Sequence, residues 1–205
     1  PSGMTCVFYG PGIGGPAGSR TGGSYGGQGG YNTLAECGYL CAPFFPGSAG
    51  RSWQNNSERR GGGGAIRIQA DAVVLNGALK ASGYGAYQYG GGSGGGIWIT
   101  CRSLELGPAA AMNANGGTAN QYGGTGGGGG GRIAIGLKLT ATQIGKLYEK
   151  GTVIGLQVTP LADLPAFTGH FTVNKGLAAA DVPPATVGTA VLTLPPPAGI
   201  QMILR

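Results

Sequence analysis

Gly61-Gly62-Gly63-Gly64-Ala65-Ile66-Arg67-Ile68 opens a stretch in which one phrase, a glycine run followed by Ile-x-Ile, occurs three times. The second occurrence is Gly94-Gly95-Gly96-Ile97-Trp98-Ile99, and the third runs from Gly126 through Gly131-Arg132-Ile133-Ala134-Ile135. Ile66 and Ile97 stand 31 residues apart, and Ile97 and Ile133 stand 36 apart. Self-similarity at such a period marks stacked repeat units, none of which buries its apolar face alone. Within the first copy, Ile66, Ile68 and Ala70 alternate with Arg67 and Gln69, the pattern of a half-buried strand.

The elements that follow each phrase keep one order. Copy one continues with Ala72-Val73-Val74-Leu75, the turn Asn76-Gly77, Ala78-Leu79-Lys80-Ala81 and then Ser82-Gly83. Copy two continues with Leu104-Glu105-Leu106, Gly107-Pro108, Ala111-Met112-Asn113-Ala114 and Asn115-Gly116. Copy three begins at Ile133 and runs through Leu137 and Leu139. Three short strands per copy predict an all-β fold: a glycine-rich parallel β-helix or β-solenoid over 61–139, with a β-sandwich as the alternative. The glycine spans 84–96 and 121–131, with 10–30, are expected to lie side by side as a polyglycine-II-like layer. Without side chains, neighbouring extended chains approach closely and satisfy each other's backbone groups.

Composition supports an ordered scaffold. Glycine supplies 47 of 205 residues without a Gly-X-Y period, which excludes collagen. Charged residues make up 10% and hydrophobic residues 41%, the reverse of a disordered chain. The net charge of +6 is mild and its basic residues are scattered apart from Arg51, Arg59 and Arg60. Nucleic-acid binders concentrate positive charge beside aromatics, so no nucleic-acid partner is expected. No run of about twenty apolar residues occurs, so no membrane span is expected. The chain starts at Pro1, which reads as a processed product or a piece of something longer.

Residues 1–60 read as an irregular segment stapled by disulfides. The four cysteines are Cys6, Cys37, Cys41 and Cys101, an even count that favours two bridges and an oxidising, extracellular or cell-surface setting. The expected pairing joins Cys6 to Cys37 or Cys41, and the remaining one to Cys101. A zinc site needs four Cys or His ligands, and the single His170 is remote, so neither metal nor cofactor is expected. Asn55-Asn56-Ser57 meets the glycosylation pattern, which is frequent by chance.

Residues 140–181 change character. Thr140 and Gln143 form a capping box, Ile144, Leu147 and Tyr148 share one helical face, and Gly151 stands where a helix ends. A helix over 141–150 is therefore expected to cap the stack, followed by strands near 152–158 and 171–174. Residues 182–205 form a proline-rich tail. Val191, Leu192 and Leu194 precede Pro195-Pro196-Pro197, and Ile200, Met202, Ile203 and Leu204 make an apolar, β-prone end. This tail is expected either to fold back as an edge strand or to add a strand to a neighbouring copy.

Little chemistry is visible. The seven acidic residues are dispersed, and Asp71 and Glu105 sit at inequivalent repeat positions, which argues against a glycosidase pair. No glycine run leads into the Lys-Ser/Thr of a P-loop. Tyr84, Tyr87, Tyr89 and Tyr122 lie on the glycine spans, where tyrosine offers a flat apolar face and a hydroxyl to a sister copy or a sugar.

The order of glycine run, Ile-x-Ile, short apolar strand, Asn-Gly and Ala-x-Ala-Ser/Asn-Gly resembles the glycine-rich β-helix-like regions of large secreted or surface proteins of environmental bacteria. The resemblance covers about residues 61–139. By composition the glycine runs are also similar, more weakly, to the glycine-rich tips of phage tail adhesins. The resemblance implies an extracellular, structural role with no cofactor, and the scarcity of candidate catalytic residues leads to the expectation of no enzymatic activity. The expected partners are copies of the chain itself in a surface fibre. The alternative is an adhesin whose tyrosine-bearing loops contact glycan.

Overall fold

The computed structural model describes residues 21–30, 37–51, 61–85, 89–119, 125–178 and 184–196. The first copy gives β1 (Ala65–Gln69), β2 (Ala72–Leu75) and β3 (Ala78–Lys80). The second gives β4 (Gly96–Cys101), β5 (Ser103–Leu106) and β6 (Ala111–Asn113). The third contributes β7 (Arg132–Leu137) before the chain enters α1 (Ala141–Lys150). Then come β8 (Gln157–Pro160), β9 (Phe171–Thr172) and β10 (Thr189–Leu194).

Successive copies pair parallel and in register. Ile66 lies beside Ile97 and Ile97 beside Ile133; Ile68, Ile99 and Ile135 form a second row. β10 adds Ala190 and Leu192 to the far side of these rows. The second strands pair Val73 with Leu104 and Leu75 with Leu106, and the third strands pair Leu79 with Met112. These rows meet in one apolar cluster around Ile97, Ile99, Met112, Ile133 and Ile135, all fully buried.

The expected all-β class, a glycine-rich parallel β-helix or β-solenoid, is corrected. The content is mixed α/β, with parallel sheets and a ten-residue helix. The largest sheet, of order β1-β4-β7-β10-β8, is itself mixed, because β8 runs antiparallel to β10. The alternative β-sandwich does not describe it either, since the repeat strands pair parallel. The physical reason lies after β7. Lys138 adopts a left-handed backbone conformation (φ 58°), and Thr140 then caps α1. Copy three therefore makes no second or third strand, and no closed coil forms among the described residues.

The helix matches the expected bounds but not the expected place. Its capping box is complete, with Gln143 N–H donating to Thr140 Oγ1 (3.2 Å) and Thr140 N–H to Gln143 Oε1 (2.8 Å). Gly151 ends it in the left-handed conformation, donating to the Leu147 carbonyl at 2.8 Å. Leu147 packs with Trp98, Ala134 and Val191, so the helix covers the outer face of the five-stranded sheet instead of the end of the stack. Cys41, Ala42 and Phe44 join the same layer. β4 and β7 are thereby buried on both faces, which explains why Trp98 and Ala134 alternate with isoleucines rather than with polar residues.

The glycine runs form a separate layer with its own periodicity. From Gly90 to Gly95 the amides donate in turn to the carbonyls of Arg51, Gly126, Tyr84, Ser48, Gly129 and Ala81, at 2.7–3.0 Å. Every third amide returns to the same neighbouring segment. A β-strand addresses two neighbours with a period of two, whereas a chain of three residues per turn addresses three. The run 126–131 is more fully surrounded. Gly128 and Gly131 donate to Gly117 and Ala114, Gly129 to Gly23, and Gly130 to Thr186. Its carbonyls accept from Gly91 and Gly94, from Gly27 and Gly30, and from Gly176. Backbone in this layer is satisfied chiefly by backbone, helped by the small buried side chains of Ser24, Ser48 and Ser93: the Ser48 amide donates to Ser93 Oγ (2.7 Å) and Ser48 Oγ to the Ser24 carbonyl (2.7 Å).

Candidate functional site

The feature that distinguishes one end of the molecule is a set of edge strands. β1 ends the five-stranded sheet, β2 ends the pair β2-β5, and β3 ends the order β3-β6-β9. All three belong to copy one, so the edges that have no strand partner among the described residues point the same way along the stack. Burial falls accordingly. Ile97, Ile99 and Met112 are fully buried, whereas Ile66, Ile68 and Leu79 in the same rows are half-buried; in the row of the second strands Val73 and Leu75 are half-buried, as are Leu104 and Leu106 beside them. The opposite end is differently made: β10 and β8 follow β7, and β9 follows β6. Among the described residues β5 also has no second strand partner. The edge strand β8 carries Pro160, which has no amide to offer and blocks further pairing, while β1 carries no proline.

Arg67 on β1 lies across the outer face. Its guanidinium carbon sits 4.8 Å from the Trp98 ring and 5.0 Å from the Tyr148 ring. Tyr148 is stacked on Trp98 at 10° between planes, and Phe44 lies 4.5 Å from Tyr148. This cation–π cover was not foreseen from the sequence. The only signal was the register, which sets Arg67 beside Trp98 once β1 pairs with β4. Arg132 was likewise unremarked. It is buried, and its Nε donates to the Cys37 carbonyl (3.0 Å) and its Nη1 to Thr189 Oγ1 (2.9 Å), joining the segment 37–51 to the start of β10.

The assembly residues expected from the tail divide. Val191 and Leu192 are buried in β10, in the middle of the chain's own five-stranded sheet, and Leu194 packs against the same core. They are spent within the fold and are withdrawn as contacts to a neighbour. Ile200, Met202, Ile203 and Leu204 lie outside the described residues, as do Tyr87 and Tyr122. Tyr84 is 62% exposed and Tyr89 half-buried, each at the flank of the glycine layer.

The cysteine expectation is also corrected where it can be followed. Cys41 and Cys101 are free, buried thiols in different clusters, Cys41 beside Trp98 and Leu147 and Cys101 beside Ile99 and Ile135. The bridge from Cys101 to Cys37 or Cys41 is therefore not made. Cys6 lies outside the described residues. Loss of water around each sulfur pushes both thiols up from their ordinary range, with the Thr193 hydroxyl and Arg132 opposing this at Cys41. Such thiols are poor nucleophiles.

No group of three or more His, Cys, Asp or Glu side chains gathers into a possible metal site among the described residues. Asp71 lies 3.7 Å from Arg102, both about 80% exposed, a pairing that contributes little. His170 Nδ1 is 2.8 Å from the Ala110 carbonyl, a link between β9 and the turn before β6. No helix among the described residues is long and apolar enough to cross a membrane. Compared with protein-family models, with curated proteins and with solved structures, the chain matches none.

Proposed function

We propose that the chain is an extracellular structural protein, a subunit of a surface fibre that assembles by strand addition and is held internally by glycine backbone packing. One observation carries the reading. Among the described residues, three edge strands without a further partner lie at the same end of the stack, and the apolar residues of these strands are half-covered. Unpaired edges with apolar neighbours invite pairing with another chain; of these, β1 is the longest at five residues, while β2 and β3 have four and three. The opposite edge of the large sheet carries Pro160, whereas β1 keeps every amide and carries Arg67 as its one charge. The extracellular setting rests on the resemblance of the repeats, and Cys41 and Cys101 lend it no support.

Negative-stain electron microscopy and sedimentation velocity of the purified chain test the reading. Concentration-dependent assemblies with a regular rise are expected. Single particles at every concentration that bind a glycan array would replace it with the adhesin reading, in which exposed Tyr84 is the first residue to substitute. Surface protease treatment of intact producing cells tests the location, and protection of the chain would count against it.

A further inference from the structure

The edge strand β1 needs an occupant, and the chain supplies one of matching pattern. The segment after Leu194 runs Pro195-Pro196-Pro197-Ala198-Gly199-Ile200-Gln201-Met202-Ile203-Leu204. Ile200, Met202 and Leu204 recur at every second residue, the spacing of Ile66 and Ile68 on β1. We propose that this segment of a second copy pairs along the open edge of β1. Its alternate apolar residues then extend the rows Ile66–Ile97–Ile133 and Ile68–Ile99–Ile135 by one more strand. This rests on the fibre reading and names the acceptor strand and its donor.

Reach decides between a second copy and the same one. In the order β1-β4-β7-β10, the position outside β1 is four strand spacings from β10, about 19 Å. Six residues lead from Leu194 to Ile200, and with three prolines among them they span at most about 20 Å. The two faces of the sheet are covered, by α1 and the segment 37–51 over Trp98 and Ala134 and by the isoleucine core, so a return to its own β1 would have to run almost straight past the strand ends with about 1 Å to spare. A detour around either exceeds the available length. The segment therefore reaches the β1 edge of a neighbour and not its own. Gln201 and Ile203 would then lie on the face of Arg67 and Gln69, one polar and one apolar.

The test places a photoreactive phenylalanine analogue at position 202 of the full chain, mixed with isotopically labelled chain of natural sequence. Crosslinked peptides are read by mass spectrometry. Crosslinks from position 202 of one isotopic form to residues 65–69 of the other are expected. Met202→Asp should weaken assembly at least about tenfold while Met202→Leu preserves it. The thermal midpoint of the shortened chain ending at Pro196 provides the check that the body folds without the segment. Crosslinks confined to one copy, or reaching other segments while filaments persist, overturn this inference and leave the fibre reading standing. Absence of any assembly by the natural chain removes both.

Discussion

The isoleucine rows and the glycine runs lie side by side and are packed by opposite means. In the rows, side chains fill space and the backbone is paired at a strand spacing of about 4.8 Å. In the runs nearly every residue is glycine, and the backbones themselves are in contact. A Cβ built on Gly94 would stand 2.1 Å from the Ala114 carbonyl oxygen and 2.5 Å from the Gly131 nitrogen. One built on Gly128 would stand 2.0 Å from the Gly92 oxygen. A side-chain core adapts by changing rotamers, whereas a backbone core has no such freedom. The glycine layer should therefore be the less forgiving of the two.

The largest expected effect follows from that. Gly94→Ala and Gly128→Ala each force a neighbouring chain away and break its hydrogen bonds. Each is expected to destabilise by at least about 4 kcal/mol, in the exceptional class for a single substitution. Gly64→Ala is the control, because nothing lies within 4 Å of a Cβ there. It should change stability by less than about 0.5 kcal/mol. Urea unfolding followed by circular dichroism checks all three. If Gly128→Ala unfolds like Gly64→Ala, the tight layer is not what holds the runs.

The second comparison is within the isoleucine rows. Ile97→Ala removes a fully buried side chain between two paired neighbours and should cost about 2–5 kcal/mol. Ile66→Ala acts in the same row at the half-buried edge and should cost less than half as much in the unassembled chain. Equal losses at the two positions would mean that the edge is covered in solution, which would break the contrast between the two ends of the stack.

These contrasts also show what could be read from the chain beforehand. The rows were legible because Ile-x-Ile carries its own period, and the spacing of 31 and 36 residues aligned the copies. The helix was legible because Thr140, Gln143 and Gly151 signal its ends locally. Its position was not, since Leu147 and Ile144 say only that one face is apolar and not which sheet receives it. The mixed sheet was missed for a related reason. β10 lies 52 residues beyond β7 in sequence, and nothing in Thr189–Leu194 announces that it pairs parallel to β7 on one side and antiparallel to β8 on the other. Within the glycine layer, the neighbours of each run were illegible, because a residue without a side chain leaves no complementary pattern to match. Of the candidate site, the apolar rows were in view, but that they end at an open edge depends on where the chain chooses to stop pairing.

A smaller effect probes the helix that covers the rows. Thr140→Ala removes the acceptor for the Gln143 amide and should cost about 1 kcal/mol, seen as a lower urea midpoint with an unchanged slope. Because α1 shields Trp98 and Ala134, fluorescence of Trp98 should report the same transition as circular dichroism. Separate transitions would mean that the helix detaches before the sheet melts.

The smallest change tests whether glycine is demanded everywhere or only where backbones touch. Gly145 lies in the interior of α1, with nothing within 4 Å of a Cβ. There a glycine only adds freedom to the unfolded chain and weakens the helix, by about 0.5–1 kcal/mol relative to alanine. Gly145→Ala should therefore stabilise the protein by that amount, opposite in sign to Gly94→Ala with the same atoms added. A single methyl group then unfolds one layer and firms the other, and the sign is set by whether a carbonyl of another segment already occupies the space. Destabilisation at Gly145 would show that the intolerance of this chain to a Cβ extends beyond its glycine layer, and the contrast between the two ways of packing would lose its basis.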